Sequence, residues 1–79
     1  MRVEVRLFAT LASFLPPEHR RGGISLDVPE GSRVADIVAI LSIPDAVSRM
    51  ILVNGEDAPV DRRLADGDAL DLFPPLSGG

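Results

Sequence analysis

Apolar and polar residues alternate in three stretches of the chain, MRVEVRLF (1–8), ISLDV (24–28) and ALDLF (69–73). A period of two predicts β-strands that each bury one face. A fourth apolar run, MILV (50–53), leads into Asn54–Gly55, a strong signal for a two-residue hairpin turn. The pattern therefore predicts four short strands.

A helical pattern occupies the middle of the chain. Its apolar stripe has the spacing i, i+3, i+4 and i+7 and consists of Val34, Ile37, Val38 and Leu41. Ser32 stands where an N-cap is expected, and Asp36 in the first turn suits the helix dipole. Pro44 is expected to stop this main helix.

Two less regular stretches separate the other elements. A short helix is predicted from apolar residues at Phe8, Leu11, Phe14 and Leu15, and Pro16–Pro17 should end it. In APVDRRLADGD (58–68), Val60 and Leu64 are expected to anchor the chain to the core. Asp66–Gly67 is expected to form a turn.

The order of these elements predicts an α+β fold with two layers. We expect a mixed sheet of four to five strands packed on one main helix plus a short helix, with the last strand beside the first. This is the β-grasp arrangement of ubiquitin. Residues 1–73 would form the domain, and residues 74–79 an extended C-terminal tail.

Length and composition limit the classes of protein. Seventy-nine residues make one domain, and the absence of cysteine excludes disulfides, thiolate metal sites and iron–sulfur clusters. The apolar fraction of 46% suits a globular fold. No apolar run approaches the roughly 20 residues of a membrane span, so we expect a soluble cytoplasmic protein without membrane contact.

The charge is acidic and unevenly placed. The net charge of −4 argues against a nucleic-acid partner. Residues 1–53 are neutral overall, and residues 54–79 carry the whole excess. Two interpretations remain open, because the acids either solvate loops or present this end to a basic partner surface.

Catalytic constellations are absent from the sequence. His19 is the only histidine, and it stands between charged residues in a segment rich in proline and glycine, where a solvated loop residue is expected. Without a second histidine or a cysteine, a metal site of the usual kind cannot be built. We therefore predict a protein that is not an enzyme and binds no cofactor itself.

The final stretch, LFPPLSGG (72–79), combines three properties. Parity places Phe73 on the face opposite to the leucines of its strand, either exposed or covered by neighbours on the outer sheet face. Pro74–Pro75 favour an extended arm, although they also simply end the strand. Gly78–Gly79 lack side chains, so the chain end can enter a narrow channel, unless it is an ordinary frayed end.

A terminal carboxyl group, with a pKa of about 3.3–3.7, is ionised at neutral pH and is an oxygen nucleophile. Attack on the α-phosphate of ATP would give an acyl-adenylate. The sequence has no phosphate-binding loop, since EGSRV (30–34) contains a single glycine and no lysine. An activating partner that uses ATP is therefore implied.

The chain resembles the MoaD/ThiS family of sulfur carrier proteins, most closely the small subunit of molybdopterin synthase. The resemblance rests on the ending LADGDALDLFPPLSGG, on VRLFATL near the start and on LVNGE before the irregular stretch. It implies that Gly79 becomes adenylated and then a thiocarboxylate. It also implies partner contacts in the tail, at Phe73, Pro74, Pro75, Leu76, Ser77 and Gly78.

The resemblance further implies three partners: an adenylyltransferase of the MoeB/ThiF type that resembles ubiquitin-activating enzymes, a sulfur donor protein, and a large synthase subunit of the MoaE type. The sulfur would then serve molybdenum cofactor synthesis. Carriers of this kind also serve thiamin, tRNA thiolation and tungsten cofactor pathways. Two other functions stay open, a ubiquitin-like protein modifier and a plain β-grasp interaction module.

Overall fold

A computed structural model describes residues 1–44 and 50–74 of the chain. These residues form a mixed sheet together with one α-helix and two 3₁₀ helices. The strands are β1 (Arg2–Leu7), β2 (Ile24–Asp27), β3 (Met50–Val53), β4 (Glu56–Asp57) and β5 (Ala69–Phe73). The helices are α1 (Val34–Ile40) and the 3₁₀ helices Ala9–Phe14 and Pro17–His19.

The strands lie in the order β2-β1-β5-β3-β4. β5 runs parallel to β1, and the other neighbouring strands are antiparallel. The prediction that the last strand lies beside the first in a mixed sheet is confirmed. β5, which directly precedes the predicted tail, is consequently the central strand, with hydrogen-bonded neighbours on both sides.

The alternating faces of the strands build the core. Val3, Val5 and Leu7 of β1 are buried, while the residues between them are exposed. The predicted stripe of α1 packs over the same face of the sheet, with three of its four residues buried and the fourth half-buried. Burial of this apolar surface is the main term that stabilises the domain.

The start of α1 differs from the prediction by one residue. The Ser32 hydroxyl donates to the Pro29 carbonyl oxygen at 2.7 Å, closing a local turn, so its prediction as the N-cap is wrong. Arg33 takes the N-cap position, and its backbone N–H donates to the Asp36 carboxylate at 2.7 Å. A serine hydroxyl can satisfy a nearby backbone group in either way, and here the local turn prevails.

The end of α1 is set before Pro44 is reached. Ser42 has a φ of 61° and follows the C-cap residue Leu41. The Ser42 N–H donates to the Ala39 carbonyl oxygen, and the Ile43 N–H donates to that of Val38. This pair of bonds is a Schellman motif, which satisfies the last carbonyl groups of the helix.

The predicted short helix is a 3₁₀ helix. Leu11 and Leu15 are buried and Phe14 is half-buried, as the spacing indicated. Leu15 leaves the helix in an extended conformation, with a ψ of 152°, because the residue before a proline avoids helical geometry. Pro17 then starts the second 3₁₀ helix, which ends at His19.

The irregular stretch after β4 confirms one anchor and contradicts the other. Leu64 is buried, but Val60 is 42% exposed, so its prediction as a core anchor is wrong. Ala58 is buried instead. Val60 instead contacts the first turn of α1 through its backbone, because its carbonyl oxygen accepts the Ala35 N–H at 2.8 Å. A segment without regular periodicity does not specify which side chain faces the core.

The turn between β3 and β4 follows the prediction. Asn54 and Gly55 both have positive φ, at 53° and 84°. These angles suit a two-residue hairpin turn and match the twist of the strands. Of the helices in residues 1–44 and 50–74, none is long and apolar enough to cross a membrane.

Gly23, the residue directly before β2, allows the close approach of its backbone to β1 to be tested. It has a φ of +81°, and a Cβ there would overlap the Val5 carbonyl oxygen and lie 2.8 Å from the Arg6 Cγ. We expect Gly23→Ala to lower the free energy of unfolding by at least about 1–3 kcal/mol, because the backbone cannot relieve the strain. Urea titrations followed by far-UV circular dichroism would measure the loss.

The matched control is Gly22→Ala, since a Cβ at Gly22 meets no atom within 4 Å. This variant should unfold at the wild-type urea concentration or slightly above it. Equal destabilisation of both variants would contradict the close approach of Gly23 to β1.

Candidate functional site

The predicted site residues fall at the end of β5. Phe73 is the last residue of the strand, and Pro74 follows it; both are half-buried. The remaining predicted site residues lie outside the described part of the chain: Pro75, Leu76, Ser77, Gly78 and Gly79. The roles assigned to all seven residues stay predictions.

Phe73 lies on the outer face of the sheet, opposite to the buried Leu70 and Leu72. Its ring stacks on that of Phe8, with 4.4 Å between the centroids and an angle of 7° between the planes. Of the two arrangements considered for Phe73, cover by a neighbour on the outer face is the one observed. The neighbour is supplied by the residue that directly follows β1.

The two rings form one wall of an apolar groove with a volume of about 350 Å³. Six residues line the groove: Phe8, Ala9, Met50, Leu52, Phe73 and Pro74. Met50 lies directly opposite Phe73 in the β3–β5 register and is 43% exposed. The groove therefore opens on the outer face and includes Pro74, where the predicted tail begins.

Sequence reasoning missed most of this groove. The sequence pattern places Phe8 on the apolar side of the predicted short helix, and it places Met50 and Leu52 in an apolar strand without indicating a site. The alternation of inward and outward residues along β3 was the sequence signal that could have identified Met50 and Leu52 as groove residues. In β3 the buried residues are Ile51 and Val53, so the residues that alternate with them face outward.

A salt bridge on the outer face borders the aromatic stack. Arg6 lies opposite Asp71 in the β1–β5 register, and its guanidinium makes two hydrogen bonds to the carboxylate, at 2.8 and 2.7 Å. The bonds to Asp71 raise the pKa of Arg6 above its ordinary value. Asp71 is only 8% exposed, although it is a charged residue on the outer face of the sheet.

The turn before β5 is held by acidic side chains. The Asp66 carboxylate accepts the Arg2 N–H at 2.8 Å, and the Gly67 N–H donates to the Arg2 carbonyl oxygen. The predicted turn at Asp66–Gly67 is therefore confirmed, with a φ of 86° at Gly67. These bonds tie the start of β5 to the start of β1.

Asp68 secures the same turn from the other side. Its carboxylate accepts the Ala65 N–H at 2.8 Å and the Asn54 side-chain N–H at 2.9 Å. Partial burial by itself raises the pKa of Asp68, but these hydrogen bonds and the charge of Arg62 outweigh it. The pKa of Asp68 therefore lies below its ordinary value.

This shift gives a pH-dependent prediction. A lowered pKa in the folded state means that Asp68 stabilises the fold above the ordinary pKa of 3.8 and ceases to do so as the pH falls through the folded value. At pH 7, Asp68→Ala should lower the free energy of unfolding by about 1 kcal/mol. The difference from wild type should shrink in urea titrations as the pH falls below 3.8.

Asp61→Ala is the control, because Asp61 is exposed. It should change stability little at either pH. A constant gap between Asp68→Ala and wild type from pH 7 to pH 2.5 would contradict the stabilising role of the ionised carboxylate.

The acidic end of the chain divides into two groups. Asp66, Asp68 and Asp71 bind nearby groups within the fold. Glu56, Asp57 and Asp61 are exposed. Three of the six acidic residues of this end therefore have structural partners, and the side chains of the other three remain available to a basic surface.

The described part of the chain does not assemble a metal site. Within residues 1–44 and 50–74, no group of three or more histidine, cysteine, aspartate or glutamate side chains is placed to hold a metal ion. His19 is half-buried, and its carbonyl oxygen accepts the Gly23 N–H. The absence of a bound cofactor stays a prediction.

Comparison with known proteins agrees with this geometry. The model of the Mut7-C ubiquitin family matches residues 1–77. SAMP1 from Haloferax volcanii is similar over the full length of both chains, with 30% identity and a TM-score of 0.74. A putative molybdopterin converting factor, subunit 1, from Pyrococcus furiosus is 25% identical over 95% of this chain and 98% of its own, with a TM-score of 0.73.

A third similar structure is a protein–protein complex of subunits 1 and 2 of the molybdopterin-converting factor from Helicobacter pylori. The matched chain is 24% identical over the full length of both chains, with a TM-score of 0.63, and it supports the fold alone. The predicted ubiquitin-like β-grasp fold and the resemblance to the MoaD/ThiS family are confirmed by these matches.

Proposed function

Because the chain belongs to the Mut7-C ubiquitin family, we propose that it is a sulfur carrier and not a catalyst. The observation that carries the proposal is the position of the apolar groove. Pro74 lines the groove and begins the predicted tail, which ends in Gly78–Gly79. A partner seated on the groove would therefore receive the last five residues next to its own active site.

The occupant proposed for the groove is an adenylyltransferase of the MoeB/ThiF type. The groove is almost wholly apolar, and an exposed apolar groove with an aromatic wall is a typical anchor for a protein partner. The exposed Glu56, Asp57 and Asp61 favour a partner with a basic rim, because opposite charges speed encounter.

The chemistry proposed for Gly79 has two steps. Its carboxylate oxygen attacks the α-phosphate of ATP and releases pyrophosphate, which leaves an acyl-adenylate. A sulfur nucleophile then attacks the acyl carbon, the bond to the phosphate oxygen breaks, and AMP leaves. With hydrosulfide as the nucleophile, one proton passes to solvent and the product is a thiocarboxylate.

The recipient of the sulfur is proposed to be a precursor of molybdenum cofactor, bound to a large synthase subunit of the MoaE type. The FPP sequence at residues 73–75 and the similarity to a putative molybdopterin converting factor support this pathway. In the Helicobacter pylori structure, subunit 1 is in complex with subunit 2. The cytoplasmic location expected from the sequence fits the same pathway.

A second candidate function is that of a protein modifier. SAMP1, at 30% identity, belongs to proteins named small archaeal modifier proteins. A modifier would use the same adenylate, but a lysine amine of another protein would attack the acyl carbon and form an amide. This chain contains no lysine, so it cannot accept such a bond on its own side chains.

Intact-mass spectrometry distinguishes the two functions. The chain is incubated with the adenylyltransferase from the same genome, ATP and sulfide. A carrier gains the mass difference of one oxygen-to-sulfur replacement, whereas a modifier appears attached to lysines of added protein. Formation of neither product by an active adenylyltransferase would overturn both proposals.

The groove is tested separately by Phe73→Ala, with binding to the adenylyltransferase measured by calorimetry. We expect weaker binding by about ten- to thirtyfold, in the range of an interface anchor. Ile40→Ala is the control, because Ile40 is 54% exposed and belongs to α1. Equal affinities of the two variants would remove the groove from the binding surface.

A further inference from the structure

Four side chains on the outer face form a series of contacts that begins and ends on β5. Asp71 binds Arg6 across the β1–β5 pair, and the Arg6 guanidinium carbon lies 5.5 Å from the centroid of the Phe8 ring. Phe8 stacks on Phe73, which stands two residues after Asp71 on the same face of β5. We call these four residues the outer-face circuit.

The circuit fixes the orientation of the guanidinium. Arg6 uses Nε toward one carboxylate oxygen of Asp71 and Nη2 toward the other, at 2.8 and 2.7 Å. Two parallel bonds from a planar group to a planar group leave little rotational freedom. Asp71 lies in the central strand and is 8% exposed, so its carboxylate has little freedom to move and restrains the Arg6 guanidinium.

The oriented guanidinium in turn restrains Phe8. A cation over an aromatic face attracts it, and the attraction depends on where the cation is held. The Phe8 backbone is held, because its N–H donates to the Leu72 carbonyl oxygen at 3.1 Å and its carbonyl oxygen accepts the Leu11 N–H at 3.0 Å. The orientation of the ring on that backbone depends on its side-chain contacts. Within the described part of the chain, the Phe8 ring contacts the Arg6 guanidinium and the ring of Phe73.

A second salt bridge on β1 has no aromatic neighbour among the described residues and can be compared with the pair of Arg6 and Asp71. Arg2 and Asp27 form a single bond of 3.3 Å between side chains that are 64% and 77% exposed. Exposed pairs of this kind contribute little to stability. The pair of Arg6 and Asp71 differs from it by a second bond, by burial of the carboxylate and by an adjacent aromatic ring.

From this geometry we infer that Arg6 and Asp71 are positioning residues, which hold Phe8 against Phe73 and so preform the aromatic wall of the groove for the partner. The inference rests on the proposed function, because it assigns a role in docking. A preformed wall strengthens binding, since the rings lose less conformational freedom when the partner arrives. Neither residue needs to touch the partner.

The first test is internal to the chain and uses NMR. Asp71→Asn removes one acceptor oxygen, and Arg6→Lys keeps the charge but loses the planar fork. In both variants the ring protons of Phe8 and Phe73 should shift toward the values of isolated phenylalanine. The third phenylalanine, Phe14, packs against the core and should keep its shifts.

The controls are Arg2→Lys and Asp27→Asn, which alter the exposed salt bridge of the same sheet face. These variants should leave the rings of Phe8 and Phe73 unchanged. Unchanged rings in Arg6→Lys and in Asp71→Asn would overturn the inference. If one of these two variants does not fold, the other decides the test.

The second test measures affinity for the adenylyltransferase in a double-mutant cycle. Asp71→Asn and Arg6→Lys should each weaken binding by roughly two- to tenfold, the range of an aromatic pair. In a Phe8→Ala background, Asp71→Asn should have no further effect, because its action passes through that ring. Additive losses would show a direct or merely structural role and overturn the inference.

The two proposals can fail separately. If Phe73→Ala weakens binding but Asp71→Asn and Arg6→Lys do not, the positioning role is wrong and the groove remains the docking site. If Phe73→Ala also binds as wild type does, the docking site of the proposed function is wrong. The positioning role for docking is then overturned with it, whatever the NMR spectra show.

Discussion

Removal of Gly79 should abolish sulfur transfer while the domain stays folded. The shortened chain still ends in a carboxylate, but on Gly78, which is set back by one residue, or about 3.3–3.6 Å. Misplacement of a reacting group by as little as about 1 Å can lower a rate by about 10²-fold. Appending one residue after Gly79 should have the same effect, because it adds a side chain and moves the reacting carbon.

The measurement is the oxygen-to-sulfur mass gain after incubation with the adenylyltransferase, ATP and sulfide. Gly22→Ala, which leaves the whole tail unchanged and whose Cβ meets no atom within 4 Å, is the control and should gain the mass as wild type does. Far-UV circular dichroism should report the same fold for all variants. Full mass gain by the shortened chain would contradict a mechanism based on the Gly79 carboxylate.

The second prediction with a large expected effect is a loss of stability on substitution in the central strand, β5. Leu72 is fully buried, and Leu72→Ala should lower the free energy of unfolding by about 2–5 kcal/mol. Domains of this size are stable by only a few kcal/mol more than that, so a large fraction of the variant should be unfolded at 37 °C. Urea and thermal unfolding followed by far-UV circular dichroism would measure the loss.

Phe73→Ala is the matched comparison, because Phe73 is the next residue of the strand and faces the other way. Its ring is half-buried and contacts Phe8 instead of the core. The loss of stability should be clearly smaller than that of Leu72→Ala. Equal losses would show that Phe73 contributes to the core, in conflict with its role as a binding anchor.

Much of the fold could be predicted because it depends on local patterns. Alternation in β1 and β5 identified which residues face the core, and the stripe of α1 did the same for the helix. The Asn54–Gly55 turn was readable because few residue pairs accept positive φ at both positions. Where periodicity fails, as around Val60, the sequence did not specify the inward-facing side chain.

The groove and the outer-face circuit could not be predicted in the same way. Arg6 and Asp71 are 65 positions apart, and their contact depends on the register between β1 and β5. A shift of that register by one residue would place each side chain on the opposite face from its partner. Parity indicated that Phe73 lies on the face opposite to the leucines of its strand, but only the strand order brings its ring against that of Phe8.

The parallel pairing of β1 and β5 also governs how the domain bears mechanical force. β1 begins near the N-terminus and β5 ends near the tail, so tension between the two ends slides these neighbouring strands past each other. In this geometry the ladder bonds resist together, whereas a hairpin pulled from its open end separates one bond at a time. A partner that pulls on the tail while the N-terminal end is held therefore loads the ladder between β1 and β5 in shear.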